Sequence, residues 1–315
     1  GLNLQCCFNY QLPKWTGTFN WFSQKVNSGV KKANRHIITL IPNNFMAQAK
    51  KEKEKEHPTL LRQPAEMKYQ EELAYLMSID KGDKPFSWLL SPQMVRTFVL
   101  GRTPAQKLDR PIGQKWYGET AIAERAIVTL ASDRGLLLIG DPGTGKSWLA
   151  ELLAAAICGN STYVVQGTAG TTEDQIKYSW NVAMVIATGQ SRSSLIPSPM
   201  MTAMEIGAMG RFEELTRCTS DVQDALISIL REKYVAIPEL KTENIVFAKP
   251  GFNIIATANS RDRGMNELSS ALKRRFNFVH MPIVTNKKQE QEIVLFRTRE
   301  LLSRHGFTVE VSPTL

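Results

Sequence analysis

Cysteine, histidine and long apolar runs are scarce in this sequence, and each shortage removes a class of function. The four cysteines, Cys6, Cys7, Cys158 and Cys218, include one adjacent pair and show no metal-ligand spacing. A reduced, cytoplasmic protein fits that usage, with Cys158 and Cys218 read as buried small residues. His36, His57, His280 and His305 are scattered and suggest no metal cluster. His280, at the end of a core strand, is expected to pack or hydrogen-bond rather than catalyse. No stretch approaches the ~20 apolar residues of a membrane helix. The N-terminus also lacks a charged-then-apolar signal layout, so no membrane partner is expected. Acidic residues are missing from residues 1–45, which carry Lys14, Lys25, Lys31, Lys32 and Arg35. Of the net charge of +9, +5 therefore lies there and +4 in the other 270 residues. A field that mild argues no nucleic-acid surface by itself.

What is present is ordinary for a globular chain: 315 residues, 43% hydrophobic and 22% charged, enough for one large or two modest domains. Residues 1–45 mix Trp15, Phe19, Trp21 and Phe22 with polar residues without a steady period. They read either as a basic aromatic tail that touches RNA or lipid, or as upstream reading frame or a disordered tail ahead of a natural start at Met46. Lys50 to Glu56 alternate in sign and read as a solvated linker. From Ala65 to about Gly101 the pattern turns helical, with Leu73, Leu76 and Met77 on one face. Ser91-Pro92 marks a helix start, and Gly101 a stop.

The informative stretch is Leu136 to Ser147. A short apolar run ends in Gly140-Asp141-Pro142-Gly143-Thr144-Gly145-Lys146-Ser147, and a helix follows from Trp148 to Cys158. That is the strand, glycine-rich turn and helix of a P-loop. Glycines let backbone N–H groups converge on phosphate oxygens, Lys146 reaches the β/γ-phosphates, and Ser147 offers a hydroxyl to Mg²⁺. The helix N-terminus adds to the attraction for the anion. A nucleoside triphosphate and Mg²⁺ are the expected ligands, with Gly140 to Trp148 as the binding run.

Downstream, Thr162 to Gln166 reads as a buried strand, 176–197 as an insertion, and Pro199 to Ile206 as a helix. Met209 to Glu214 then supplies two adjacent acids. A P-loop enzyme needs one acid to hold the metal's water shell and a second to orient or activate the attacking water. Glu213 and Glu214 can fill these roles, although alone they would be a surface pair. Asp221 to Arg231 is amphipathic, with Val222, Ala225, Leu226, Ile229 and Leu230 at helical spacing. A hairpin, Tyr234 to Ile237 with Ile245 to Ala248, follows. The strand Phe252 to Ala258 ends at Asn259, at the ligand-bearing edge of a parallel sheet, where its amide could meet the γ-phosphate or the water. A short helix, Leu268 to Lys273, precedes Arg274, Arg275 and a strand from Phe276 to Val279.

In this order the motifs resemble AAA+ ATPases of the MoxR type. The runs 167–174, 213–217 and 266–276 are similar to its YehL branch. The resemblance covers about 65–315. It implies a P-loop AAA+ α/β fold: a parallel sheet flanked by helices, a helical N-terminal lead and a C-terminal helical lid cut short. The implied division is 1–45 atypical tail, 46–108 linker and lead, 109–285 core, and 286–315 start of the lid. Lys146 and Ser147 would be Walker A, Glu213 the metal-side acid through water, Glu214 the catalytic carboxylate and Asn259 the first sensor. Arg275, or its neighbour Arg274, would be a finger reaching the next subunit. Ile112 and Gly113 sit where such enzymes hold adenine, or are simply a loop before a helix. The insertion and the hairpin would face a ring pore.

The resemblance further implies a homo-oligomeric ring, a hexamer, that remodels or matures a client protein, with a von Willebrand A-domain partner. Two other readings stay open: a nucleic-acid motor, which needs a basic stripe where the insertion offers only Lys177 and Arg192, and a scaffold that binds ATP but scarcely turns it over. Glu213 stands where Asp is usual, and reduced activity is expected from it. The second sensor would lie beyond Leu315, so the chain is expected to be a fragment.

Overall fold

In the computed structural model the described residues are 61–102, 108–260 and 266–304. The expectations for the tail, for the start at Met46 and for the alternating linker fall outside them. The described residues from Arg62 onward form one compact unit. Its elements, in order, begin with α1 (Ala65–Lys68), α2 (Gln70–Ile79), α3 (Pro92–Leu100) and α4 (Thr120–Leu130). Then come β1 (Gly135–Gly140), α5 (Lys146–Cys158), β2 (Val164–Gln166), β3 (Tyr178–Trp180), α6 (Val182–Thr188), β4 (Leu195–Pro197) and α7 (Pro199–Ile206). The chain continues through β5 (Met209–Glu213), α8 (Ser220–Glu232), β6 (Tyr234–Ala236), β7 (Ile245–Phe247) and β8 (Asn253–Asn259). It closes with α9 (Ser270–Lys273), β9 (Phe276–Met281) and α10 (Lys287–Arg304).

A five-stranded parallel sheet, in the order β2-β5-β8-β1-β9, carries the fold. Strand alternation decides what each face buries. Leu136 and Leu138 of β1 face a core shared with α1 to α5, whereas Leu137 faces the opposite core with α7, α8 and α9. Both faces being covered explains why β1 and β8 read as continuous apolar runs instead of alternating ones. Each fully buried leucine contributes roughly 1.5–3 kcal/mol against the exposed state. A smaller core of Leu195, Met201, Ile237, Leu240 and Val246 underlies the antiparallel pairs β3-β4 and β6-β7.

Local chemistry sets the ends. Ser91 caps α3, with Oγ accepting from Met94 N at 3.4 Å, Pro92 begins the helix, and Gly101 stops it at φ 82°. Thr162 is not yet strand: its N–H and hydroxyl both donate to Asn160 Oδ1 at 2.7 Å, so β2 starts at Val164. The short helix before Arg274 begins at Ser270, capped by Ser269 Oγ from Leu272 N at 3.2 Å, rather than at Leu268. Met77 faces outward at 43% exposure while Leu73 and Leu76 are buried. Cys218 is buried but Cys158 only half so; burial raises both thiols' pKa. His280 is exposed on the edge strand β9 and packs in neither core, contrary to expectation.

Candidate nucleotide site

The loop between β1 and α5 turns through Gly143 and Gly145, at φ 83° and 81°, a region side chains disfavour. Nothing lies within 4 Å of where a Cβ on Gly143 would be, so that side of the loop is open. Thr144 Oγ1 braces the turn by donating to Asp141 O at 2.9 Å. Lys146, 7% exposed, places Nζ at 2.9 Å from Gly140 O and 2.8 Å from Asp141 O, across the loop's mouth. Ser260, just after β8, donates to the Asp141 carboxylate.

Parallel pairing brings the other residues to the same edge. Gly140 lies level with Asn259 on β8, and Gln166 of β2 level with Glu213 on β5. Gly167 is required at this edge: its N–H donates to Glu213 O at 2.7 Å, and a Cβ there would meet the Glu213 and Glu214 carbonyls at 2.8 and 2.7 Å. Glu213 is 5% exposed. Its Oε2 accepts from Ser147 Oγ at 2.6 Å and from Thr257 Oγ1 at 2.7 Å, while its Oε1 accepts from Arg211 Nη2 at 2.6 Å. Glu214 sits in the left-handed region at φ 57°. Its N–H donates to Thr257 Oγ1 at 3.0 Å, and its carboxylate pairs with Arg217 Nε at 2.7 Å. Thr257 thus links both acids to β8.

The donor set suits a hard cation. Ser147 spends its proton on Glu213, which leaves the hydroxyl oxygen's lone pairs for a metal, with the carboxylate behind it for the metal's waters. The loop's open side and the buried ammonium suit a polyphosphate. These residues fit Mg²⁺ and a nucleoside triphosphate.

A cavity of about 460 Å³ adjoins the loop, within the usual range for ligand pockets. Lys115, Trp116 and Tyr117 line it with Pro142 to Gly145 and Trp148, and α10 closes it with Glu290, Ile293, Val294 and Arg297. Trp148 Nε1 donates to Lys115 O at 2.9 Å, and the Arg297 guanidinium lies 4.7 Å from the Trp148 ring centroid. Tyr117 stacks at a tilt on Phe296, 5.4 Å between centroids. Lys115 is almost wholly buried, paired with Glu72 of α2 at 2.5 Å; desolvation lowers its pKa against that pairing.

Ile112 and Gly113 do not line this cavity. Ile112 is 6% exposed, in the core, and its carbonyl accepts from Arg102 N at 3.2 Å; Gly113 O accepts from Lys115 Nζ at 3.1 Å. Val99 O holds the N–H groups of Lys115 and Trp116 at 3.1 and 3.2 Å, so the chain passes the loop's mouth three residues later than expected. Arg275 lies at the opposite sheet edge, where its carbonyl accepts from Gly135 N at 3.1 Å and its Nη1 donates to Ala271 O at 3.0 Å. Arg274 is exposed beside it. Sequence reasoning missed Arg211, Thr257 and the Lys115–Tyr117 run. The one available signal was a charged residue two before the acid in a strand that had to be buried.

A family model, the AAA domain of the dynein-related subfamily, matches residues 135–276. The uncharacterized protein YehL of Escherichia coli (strain K12) is 45% identical over 253 residues, 80% of this chain and 68% of its own length. The uncharacterized protein YojN of Bacillus subtilis (strain 168) is 26% identical over 176 residues, 56% of this chain and 57% of its own. Among solved structures, NtrX from Brucella abortus in complex with ADP aligns at 12% identity and TM-score 0.43, covering 62% of this chain and 42% of that one. The chain therefore spans 68% of the length of YehL and 57% of that of YojN.

Proposed function

The chain belongs to the AAA+ ATPases, together with its relative YehL, and from that premise we propose that its P-loop site hydrolyses Mg²⁺-bound ATP to remodel a client protein. The observation that carries this reading is the meeting of Ser147 Oγ and Glu213 Oε2 at 2.6 Å beside the buried Lys146. Lys146 and the loop's N–H groups would hold the β- and γ-phosphates. Ser147 and Glu213 would hold Mg²⁺, whose charge offsets that of the phosphates when bound. Glu214 would release Arg217, orient the attacking water and accept its proton, with Asn259 fixing the water or the γ-phosphate from the end of β8. Trp148, with Trp116 and Tyr117, offers the aromatic wall a base would stack on.

The finer reading is a MoxR-type ring, a hexamer in which Arg275 acts on the neighbouring subunit's nucleotide, with a von Willebrand A-domain protein as partner. AAA proteins generally form oligomeric rings. The client is read as protein rather than nucleic acid because the insertion's two cations are neutralised: Lys177 pairs with Glu173 and Arg192 with Glu205. Its exposed large apolar side chains are Val182, Met184, Ile186 and Ile196. The test is phosphate release by the wild type and by Glu214→Gln. The variant should keep ATP binding and lose about a hundredfold or more in turnover; equal turnover removes Glu214 from the mechanism. Stimulation by DNA that fades with salt would favour the motor instead.

A further inference from the structure

Arg211 stands on β5, an interior strand of the five-stranded sheet, 8% exposed, where strand geometry calls for an apolar residue. A buried ion pair is a poor stabiliser, since packed apolar groups of similar volume do as well. Its contacts are nonetheless specific. Nη1 donates to Ser161 O at 2.9 Å, and Nη2 reaches both Glu213 Oε1 at 2.6 Å and Ser147 O at 3.3 Å. Arg211 and Glu213 are two apart on β5 and so share a sheet face. The guanidinium therefore joins three segments: the acid's own strand, the first turn of α5 and the residue leading to β2. Its buried Nε has no hydrogen-bond partner among the described residues, so the side chain is held from its far end alone.

We propose that Arg211 is a positioning residue that lets a glutamate serve as the metal-side acid. Glutamate has one more rotatable bond than the usual aspartate, and its carboxylate would otherwise sample several orientations. With Oε1 clamped by Arg211 and Oε2 fixed by Thr257, only the Oε2 edge faces the Ser147 hydroxyl. The same guanidinium grips the Ser147 carbonyl, so acid and hydroxyl are set by one rigid group. This rests on the Mg²⁺–ATP reading of the site.

The test compares affinity for a fluorescent ATP analogue in excess Mg²⁺ and in EDTA. It uses the whole chain as wild type, Arg211→Lys, Arg211→Met, Glu213→Asp and the double variant Arg211→Met/Glu213→Asp. Mg²⁺ should tighten wild-type binding by about tenfold or more. Arg211→Lys keeps the charge but has one nitrogen, which cannot hold Glu213, Ser147 and Ser161 together; it should lose about threefold or more of that tightening. Arg211→Met should lose nearly all of it, with EDTA affinities of both variants within about threefold of wild type. In the Glu213→Asp background, whose carboxylate falls a methylene short of the guanidinium, Arg211→Met should cost less than about threefold more. Undiminished tightening in Arg211→Lys overturns the proposal, as does equal loss with and without Mg²⁺, the mark of a merely structural role. Stronger tightening in Arg211→Met than in wild type also overturns it, by making the arginine a counter-charge to the metal. Should Arg211→Met not fold, Arg211→Lys decides. A wild type that binds no nucleotide sinks the site reading itself; variants that match a binding wild type sink this inference alone.

Discussion

Arg275→Ala tests whether the site is completed by a second copy of the chain. Phe276 pairs level with Gly135 and Met281 level with Gly140, so Arg275 and the P-loop lie at opposite ends of β1. At ~3.3 Å per residue the separation is about 16 Å, more than an arginine side chain spans. Arg275 cannot act on its own subunit's nucleotide. Its present bond to the Ala271 carbonyl at 3.0 Å is a neutral-acceptor bond worth about 1 kcal/mol. An arginine finger contributes ~10³–10⁵ in turnover, roughly 4–7 kcal/mol, so exchanging one contact for the other is favourable. Arg275→Ala should therefore lose about 10³-fold or more in phosphate release while nucleotide affinity stays within about twofold. Mixing it 1:1 with Glu214→Gln should restore activity: sites with Glu214 intact then meet neighbours with Arg275 intact. In a head-to-tail ring random mixing makes about one interface in four competent. Mixed rings confirmed by light scattering that show no recovery would refute an action in trans. Loss of turnover in Arg274→Ala with Arg275→Ala unaffected would move the role to its neighbour.

Three further outcomes follow from the same geometry. Lys146→Ala should weaken ATP binding by about a hundredfold, because it removes the buried cation at the loop's mouth; calorimetry showing near-wild-type affinity would place the phosphates elsewhere. Trp148 and Trp116 line the cavity, so ATP should change intrinsic fluorescence and Trp148→Phe should remove much of that change; an undiminished signal would take the base away from Trp148. Ser91→Ala should lower stability by about 1–2 kcal/mol, through the lost α3 cap and the lost bond to Asp80. Burial acts to raise the Asp80 pKa, but bonds from Ser91 N, Ser91 Oγ and Gly82 N, with Lys84 nearby, leave it below its ordinary value. A depressed carboxylate stabilises the fold above its unfolded pKa, and that contribution is lost as pH falls through the folded value. The Ser91→Ala deficit in chemical denaturation should therefore shrink in acid; equal deficits at neutral pH and at about pH 2–3 would exclude Asp80 as its source.

How legible each part was in the sequence depends on the range of the force that shapes it. The P-loop was legible because its backbone needs residues 143 and 145 at positive φ, which glycine meets at least cost, and because a strand and a helix must flank it. The amphipathic helix α8 was legible because its buried positions, Val222, Ala225, Leu226, Ile229 and Leu230, repeat at the helical period within one segment. Ile112 and Gly113, read as the adenine contact, miss the cavity beside the loop by three residues: no local pattern records that Val99 O would hold Lys115 and Trp116 there. His280 lies on the edge strand, where the opposite core includes Phe276 but not Phe278, so an alternating strand carries two outward residues past the end of its cover. Glu213 shows the limit most clearly. As a lone letter it looked like a weakened aspartate. In the folded chain it is gripped by Ser147, Thr257 and Arg211, from three separate elements. Whether a glutamate is a defect or a working ligand is decided by what restrains its extra bond, and those restraints lie up to 66 residues away in the chain.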